Sequence, residues 1–524
     1  MMRVGTVLAV ALALFPTLLP AVCDSRVFID ANRNGVFDAG ERGLSGVAVS
    51  DGVHIVRSDR DGRYRLAAMP GKTLFVIKPS GYSLPKRVDG LPDFFANQAG
   101  PDAKLRYGGV VQSDTACKSF ALNPEAQNPE LPLSVLVFGD PQPKSAVDVD
   151  YYLRDIIAPL RGNPAATLGI SLGDIVHDDL TLLPEIKKAD SLLGIPRLYA
   201  AGNHDIDFDA AGDAGSLESF RAQFGPDTFA WEERHANFIV LDDVIYRPGG
   251  KPAYIGGLRE SQFHFLARYL AGADKNKLLV ISAHIPFFQT KDDAETFRSA
   301  DRRRLFKLLA PFRDVLLLTA HSHAQNIVQH GPDSDWHGVG RLFEYNAGAS
   351  CGGYWAGVKD KDGLPDATMS DGTPNGYARL HISPRDYRLQ WFNARNRPNA
   401  AMALHVPQVL RHGAYPGVGL YANVFMARPD TRVDVRIDDG PWQPMQRVSR
   451  ADPRVLALNL QDDASPALTA YDRTPEATIS SHLWRFSLPT DLSPGEHRIR
   501  VRAIDAWLGE VSEDTVYRLE AVSP

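Results

Sequence analysis

The sequence predicts a layered α/β domain held between two small all-β sandwich domains. Three observations carry that prediction. The chain has 524 residues, enough for three or four domains of ordinary size. Both ends read as short alternating apolar runs broken by turn residues, the pattern of half-buried strands. The middle alternates apolar runs with helical periodicity, the pattern of a sheet buried on both faces. Hydrophobic residues at 44% and charged residues at 23% exclude wholesale disorder and a polytopic membrane protein. Lys and Arg number 57 against 63 Asp and Glu, a net charge of −6. No basic footprint exists for a nucleic-acid backbone, so no nucleic-acid polymer is expected as a partner.

The first segment carries Arg3, an uncharged apolar run over 7–15 and a small-residue exit after Pro16. That run is too short to span a bilayer and suits a secretory leader. Residues 1–23 are therefore read as a signal peptide, and the chain as exported, either periplasmic or secreted. Pro20, Ala21 and Val22 make a poor lipidation box, so anchoring through Cys23 is not expected. Without Cys23, Cys117 and Cys351 remain, read as two isolated buried thiols in preference to a disulfide. No later run is expected to cross a membrane.

Strands are expected at 47–50, 55–57, 62–66 and 73–77 in an N-terminal β-sandwich over 24–123. Its loop from Asp30 to Glu41 places Asp30, Asn32, Asn34, Val36, Asp38 and Glu41 at the ligand spacing of an EF-hand calcium loop, with Gly35 at the turn. A strand-like entry over 26–29 argues against a helix pair. The loop, with Asp59 to Tyr64, resembles the calcium-bearing loops of β-sandwich repeats in surface adhesins. A structural calcium is expected, over an Asx-rich turn without metal. Residues 124–132 are polar and proline-rich and read as a linker. The α/β domain follows over 133–398, and a second β-sandwich over 399–524, with strands at 433–437 and 498–503.

In the central domain the polar residues gather where apolar runs stop. Run 135–138 ends in Asp140 and Gln142, run 168–172 in Asp174, and run 199–201 in Asn203, His204 and Asp205. Run 278–282 ends in His284, and run 315–319 in His321 and His323. The carboxyl ends of strands are where open α/β sheets hold ligands. A single histidine there is more often a hydrogen-bonded boundary residue, but five such ends in order are not explained that way. Carboxylate, carboxamide and imidazole without thiolate suit divalent Mn, Fe or Zn.

This set and order resembles the calcineurin-like metallophosphoesterases, whose blocks run Asp-x-His, Gly-Asp, Gly-Asn-His-Asp/Glu, a lone His, and Gly-His-x-His. The resemblance covers about residues 133–382. It implies a four-layer αββα domain. It also implies one metal held by Asp140, Gln142, Asp174 and His323, and a second by Asp174, Asn203, His284 and His321, with Asp174 bridging. Two such ions about 3.5–4 Å apart lower the pKa of a shared water and aim it in line at phosphorus. The resemblance assigns His204 to the leaving oxygen, with Asp178 or Asp205 left as its orienting partner.

Two positions depart from the family blocks. Gln142 replaces a histidine, so the first metal is expected to bind more weakly or to be a harder ion such as Mn. Ala320 replaces a glycine. His177, Tyr354, Trp355 and Asn375 are candidate substrate contacts, while Arg302, Arg303 and Arg304 read as a solvated helix face. The expected activity is metal-dependent hydrolysis of a phosphomonoester or phosphodiester on a small molecule, lipid headgroup or glycan. The alternative is a non-catalytic envelope or carbohydrate-binding protein. The sequence holds no His-Glu-x-x-His and no His-x-His-x-Asp-His, which argues against a peptidase or lactamase.

Overall fold

A computed structural model of the chain describes residues 22–521, apart from 68–69, 101–103, 112–116, 127, 129, 163–165, 289–293, 396 and 416–417. The expected leader lies outside the described residues except for its last two, Val22 and Cys23.

The central runs become strands because every residue in them is apolar or small enough to be covered on both faces. Leu133–Phe138, Leu168–Leu172 and Leu278–Ser282 are buried throughout. Two sheets result. In the first, Arg197–Ala200, Leu168–Leu172 and Leu133–Phe138 run parallel, and Gly376–Ile382 with Tyr387–Asn393 completes the sheet antiparallel. In the second, Ala236–Val240, Leu278–Ser282, Asp314–Thr319 and Arg341–Asn346 run parallel, edged by Phe229–Glu232 and Asn326–His330. Helices bury one stripe each: Phe263, Leu266 and Leu270 in Glu260–Gly272, and Leu305, Phe306 and Leu309 in Ser299–Leu309. The four-layer αββα fold with flanking β-sandwiches is the one the sequence predicts.

The first helical run of the central domain is broken into three pieces: α over Ala146–Tyr152, π over Leu153–Ile157 and a 3-10 turn over Ala158–Leu160. Pro159 supplies the reason, since it has no N–H to continue the α ladder. The C-terminal sandwich contains a helix, Pro453–Asp463, that alternation alone did not reveal. Asp452 caps it by accepting from Arg454 N, and Pro453 stands at its first turn.

The N-terminal sandwich shares its core with the central domain. Phe75 packs edge-on against Phe229 at 6.4 Å, and Phe94 against Trp231 at 5.7 Å. Cys23 lies within the strand Val22–Ile29 and forms a disulfide with Cys117, their Cα atoms 5.0 Å apart. Cys351 is a free, buried thiol. This differs from the expected pair of isolated thiols, because the Phe120–Pro124 strand pairs in parallel with Val22–Ile29 and carries Cys117 alongside. The C-terminal sandwich has a second core, built on Leu420, Val433, Trp484, Val501 and Tyr517.

Candidate metal centre

Each predicted ligand leaves the carboxyl end of a buried strand and turns sharply. Asp140, Gln142, Asp174, His321 and His323 all have left-handed backbone, with φ of 39°, 40°, 46°, 70° and 48°. Such conformations cost about 1–3 kcal/mol each and persist where the surroundings enforce them, which is typical of functional loops. Ala320 itself has no positive φ, so its Cβ costs the turn nothing.

The side chains converge. His284 Nε2 lies 3.1 Å from Asn203 Oδ1, 3.2 Å from Asp174 Oδ2 and 3.2 Å from His321 Nδ1. His284 Nδ1 donates to the Leu172 carbonyl at 2.8 Å, which leaves Nε2 as its face toward the others. On the neighbouring side, His323 Nδ1 donates to the Gly352 carbonyl at 2.8 Å, and its Nε2 lies 4.0 Å from Asp140 Oδ1. The Gln142 amide lies 3.3 Å from Asp174 Oδ2. Half a turn of that amide presents its oxygen instead of its nitrogen to the same space.

Electrostatics state what such a cluster needs. Burial pushes Asp140 up to about 8, against the lowering pull of His284. Burial also opposes ionisation of Asp174, but the charge and hydrogen bond of His284 hold that carboxyl well below its usual range. His284 is driven down by burial and, more strongly in sum, up by Asp174 and Asp140, to about 10. Burial pushes His321 and His323 down to about 3 and about 4, so both keep a free lone pair at neutral pH. Asp140 Oδ1 is buried without a hydrogen-bond partner. The Asp174 carboxylate, the unpartnered Asp140 oxygen and the His321 and His323 imidazoles thus lie in one cluster, an oxygen and nitrogen donor set that suits a divalent cation. The residues therefore fit the two ions expected of them.

Two glycines make room. A Cβ on Gly202 would come within 2.1 Å of Asp174 N and 2.2 Å of its Oδ1, and one on Gly173 within 2.7 Å of His284 Nδ1. Gly202→Ala is expected to displace Asp174, lowering bound metal and costing about 1–3 kcal/mol of stability. Metal analysis beside thermal melting checks this, and unchanged metal content would refute it.

His204 sits at the edge of the cluster. Its Nδ1 is 2.7 Å from Asp178 Oδ1, and its backbone N donates to Asp174 Oδ1 at 2.9 Å. The orienting partner left open by the sequence is thus Asp178. Asp205 has another task, accepting from the backbone N–H groups of Gly202, Ile175 and Val176 at 2.8–3.2 Å and so tying two ligand loops together. Burial lowers His204, but the Asp178 bond and the Asp174 charge outweigh it and raise its pKa above the ordinary imidazole value.

Of the candidate substrate contacts, His177 and Tyr354 reach the site. The His177 ring stacks on His204 with centroids 4.3 Å apart, and the Tyr354 ring stacks on His323 at 4.2 Å. Trp355 is 5% exposed and donates its indole N–H to the Pro141 carbonyl, while Asn375 is 2% exposed and donates to Asp155 and Ser350. Both brace loops from inside. Two residues outside the sequence blocks border the site: Tyr254, edge-on to His321 at 6.2 Å, and Lys144, whose ammonium lies 5.3 Å from the Tyr354 ring centre. Lys144 follows Gln142 by two residues, which was the only signal available for it.

The Asp30 loop closes on itself. Asp30 accepts from Asn34 N and Gly35 N, Asp38 accepts from the Asn32 and Asn34 amides, and Glu41 accepts from Ala31 N and Asp38 N. Gly35 takes the left-handed turn at φ 76°. Among the described residues its carboxylates do not form a convergent metal-binding group, whereas Asp174, His284 and His321 do.

Comparison with known proteins bears on the regions either side of this cluster. Residues 31–107 match the family model for the N terminal of calcineurin-like phosphoesterase, and residues 344–510 the model for its C terminal. The chain thus carries regions similar to the N-terminal and C-terminal parts of the calcineurin-like phosphoesterases. The chain is 27% identical over 191 residues to a 3',5'-cyclic adenosine monophosphate phosphodiesterase of Pseudomonas aeruginosa, a match covering 36% of this chain and 65% of that relative. Among solved structures it is similar to the purple acid phosphatase PPD1 of yellow lupin, Lupinus luteus, at 12% identity and TM-score 0.38 over 67% of each chain. It is also similar to a dimetal phosphatase of Danio rerio at 13% identity and TM-score 0.35, over 49% of this chain and 95% of that one.

Proposed function

We propose that this protein hydrolyses a phosphomonoester or phosphodiester of a small molecule, lipid headgroup or glycan. The observation that carries the reading is the convergence of Asp174, Asn203, His284 and His321 beside Asp140, Gln142 and His323, with His204 at the edge. Two bound ions would supply an activated water and neutralise charge on phosphate oxygens. Asp140, Gln142, Asp174 and His323 would hold one ion, and Asp174, Asn203, His284 and His321 the other. The chain's own residues do the rest. Asp178 holds the protonated His204 imidazole, which gives its proton to the departing ester oxygen. His177 and Tyr354 wall the substrate side. In-line attack by water needs no phosphoenzyme, so no nucleophilic side chain is required.

The test is turnover of chromogenic monoester and diester substrates by metal-stripped protein with Mn, Zn and Mg restored in turn. Metal-dependent turnover supports the reading, and the ratio of the two substrates narrows it. Metal binding without turnover on any substrate would favour the non-catalytic binding protein instead.

Export is part of the same proposal, supported by the apolar leader and by the Cys23–Cys117 disulfide, a bond that persists in oxidising compartments. The bond uses the sulfur that lipidation would need, and it shortens the leader expected over 1–23, since processing must fall before Cys23 for the bond to survive. Intact mass and thiol count of the chain recovered from the cell exterior or envelope are expected to show a cut on the amino side of Cys23 and one free thiol. Only the EF-hand-like spacing of the Asp30 to Glu41 loop supports a structural calcium there, and the ion would have to draw together carboxylates that do not converge by themselves; added calcium is expected to raise the melting temperature of chelator-treated protein, and no shift would refute it.

A further inference from the structure

His323 is held in two places, and both supports are continued by the C-terminal sandwich. Its ring donates to the Gly352 carbonyl, and the loop after Gly352 is pinned from the C-terminal side: Gly357 N donates to the Asp472 carbonyl at 2.8 Å. The Pro475 ring stands so close to Gly353 that a Cβ there would meet it at 2.9 Å. The second support is backbone. Gln325, two residues after His323, donates its N–H to Asp371 Oδ2 at 2.7 Å.

Asp371 is itself gripped by the sandwich. His482 Nε2 lies 3.0 Å from the same Oδ2, and the Asn423 amide donates to the Asp371 carbonyl at 2.8 Å. His482 Nδ1 lies 2.6 Å from Asn423 Oδ1, and Asn423 also donates to Asp452, which pairs with Arg454. Asp371, Asn423 and His482 are 1–2% exposed, so water does not compete for these bonds and their geometry is stiff. The family model for the C terminal covers 344–510 as one unit, spanning both the Gly352 loop and the sandwich strand that carries His482.

We infer that His482 is a positioning residue for the metal centre: through Asp371 it sets the loop that presents His323, which makes the C-terminal sandwich part of the centre. This rests on the metal-centre reading proposed above. Partners behind a metal ligand fix its orientation, and losing one costs about 10–100-fold in metal affinity.

The test measures cobalt binding to metal-stripped full-length protein by equilibrium dialysis and visible absorption. Wild type is compared with His482→Leu, His482→Gln and Leu488→Ala, the last a core residue of the same sandwich outside this network. His482→Leu is expected to weaken one of two ions by about 10–100-fold and leave the other unchanged. His482→Gln keeps a donor for Asp371 and is expected to recover most of the loss. Leu488→Ala is expected to lower the melting temperature without changing either affinity. Wild-type affinity for both ions in folded His482→Leu would overturn the inference, and so would an equal loss in Leu488→Ala, since domain stability would then be the cause. If His482→Leu does not fold, Asp371→Asn carries the same test with the same expectation. Failure of wild type to bind two ions overturns the metal-centre reading itself and is distinguishable from these results.

Discussion

Asp174→Asn is expected to lower kcat/KM by at least about a thousandfold, equivalent to about 4 kcal/mol of transition-state stabilisation. The reason is position. Asp174 is buried, its Oδ2 is 3.2 Å from His284 Nε2, and its Oδ1 receives the backbone N–H of His204. An amide there keeps the shape but removes the negative charge that two ions would share. His284 also loses the carboxylate that raises its pKa most, leaving a poorer environment for a cation. Metal analysis of the variant is expected to find fewer than two ions per chain, and a variant with full metal content and full activity would remove Asp174 from the centre.

His204→Asn has a different signature. Donation of a proton to a leaving oxygen contributes about 10²–10⁴-fold, and only when that oxygen is a poor leaving group. The loss is therefore expected to be large on alkyl phosphoesters and small on nitrophenyl ones, a contrast that steady-state kinetics on matched substrates measures. Equal losses on both would assign His204 to binding instead. Asp178→Asn extends the test. The Asp178 bond raises the His204 pKa, and an acid works only below its pKa, so the fall of kcat/KM at high pH is expected to begin at lower pH in the variant. An unmoved alkaline limb would refute the dyad.

Much of this was legible in the chain itself. Runs such as 135–138 and 278–281 are apolar at every position, and a strand covered on both faces satisfies them. The proposed ligands were legible because each stands within a few residues of such a run, where local order places it at the sheet edge. The Cys23–Cys117 bond was not, since it depends on a strand at 120–124 returning beside one at 22–29. The break of the first central helix was visible in Pro159 only after the π turn before it was seen.

By itself, then, the sequence determined the layered fold, the order of the five ligand-bearing turns and the residue types that suit two divalent cations, because these follow from local periodicity and chemistry. Only the tertiary structure decided that Asp178 rather than Asp205 orients His204, that Tyr254 and Lys144 border the site, that Trp355 and Asn375 face inward, and that His482 supports the His323 loop through Asp371. Each of those pairings joins residues far apart in sequence. Their proximity is set by how the sheets and sandwiches pack, and no local pattern of residues encodes it.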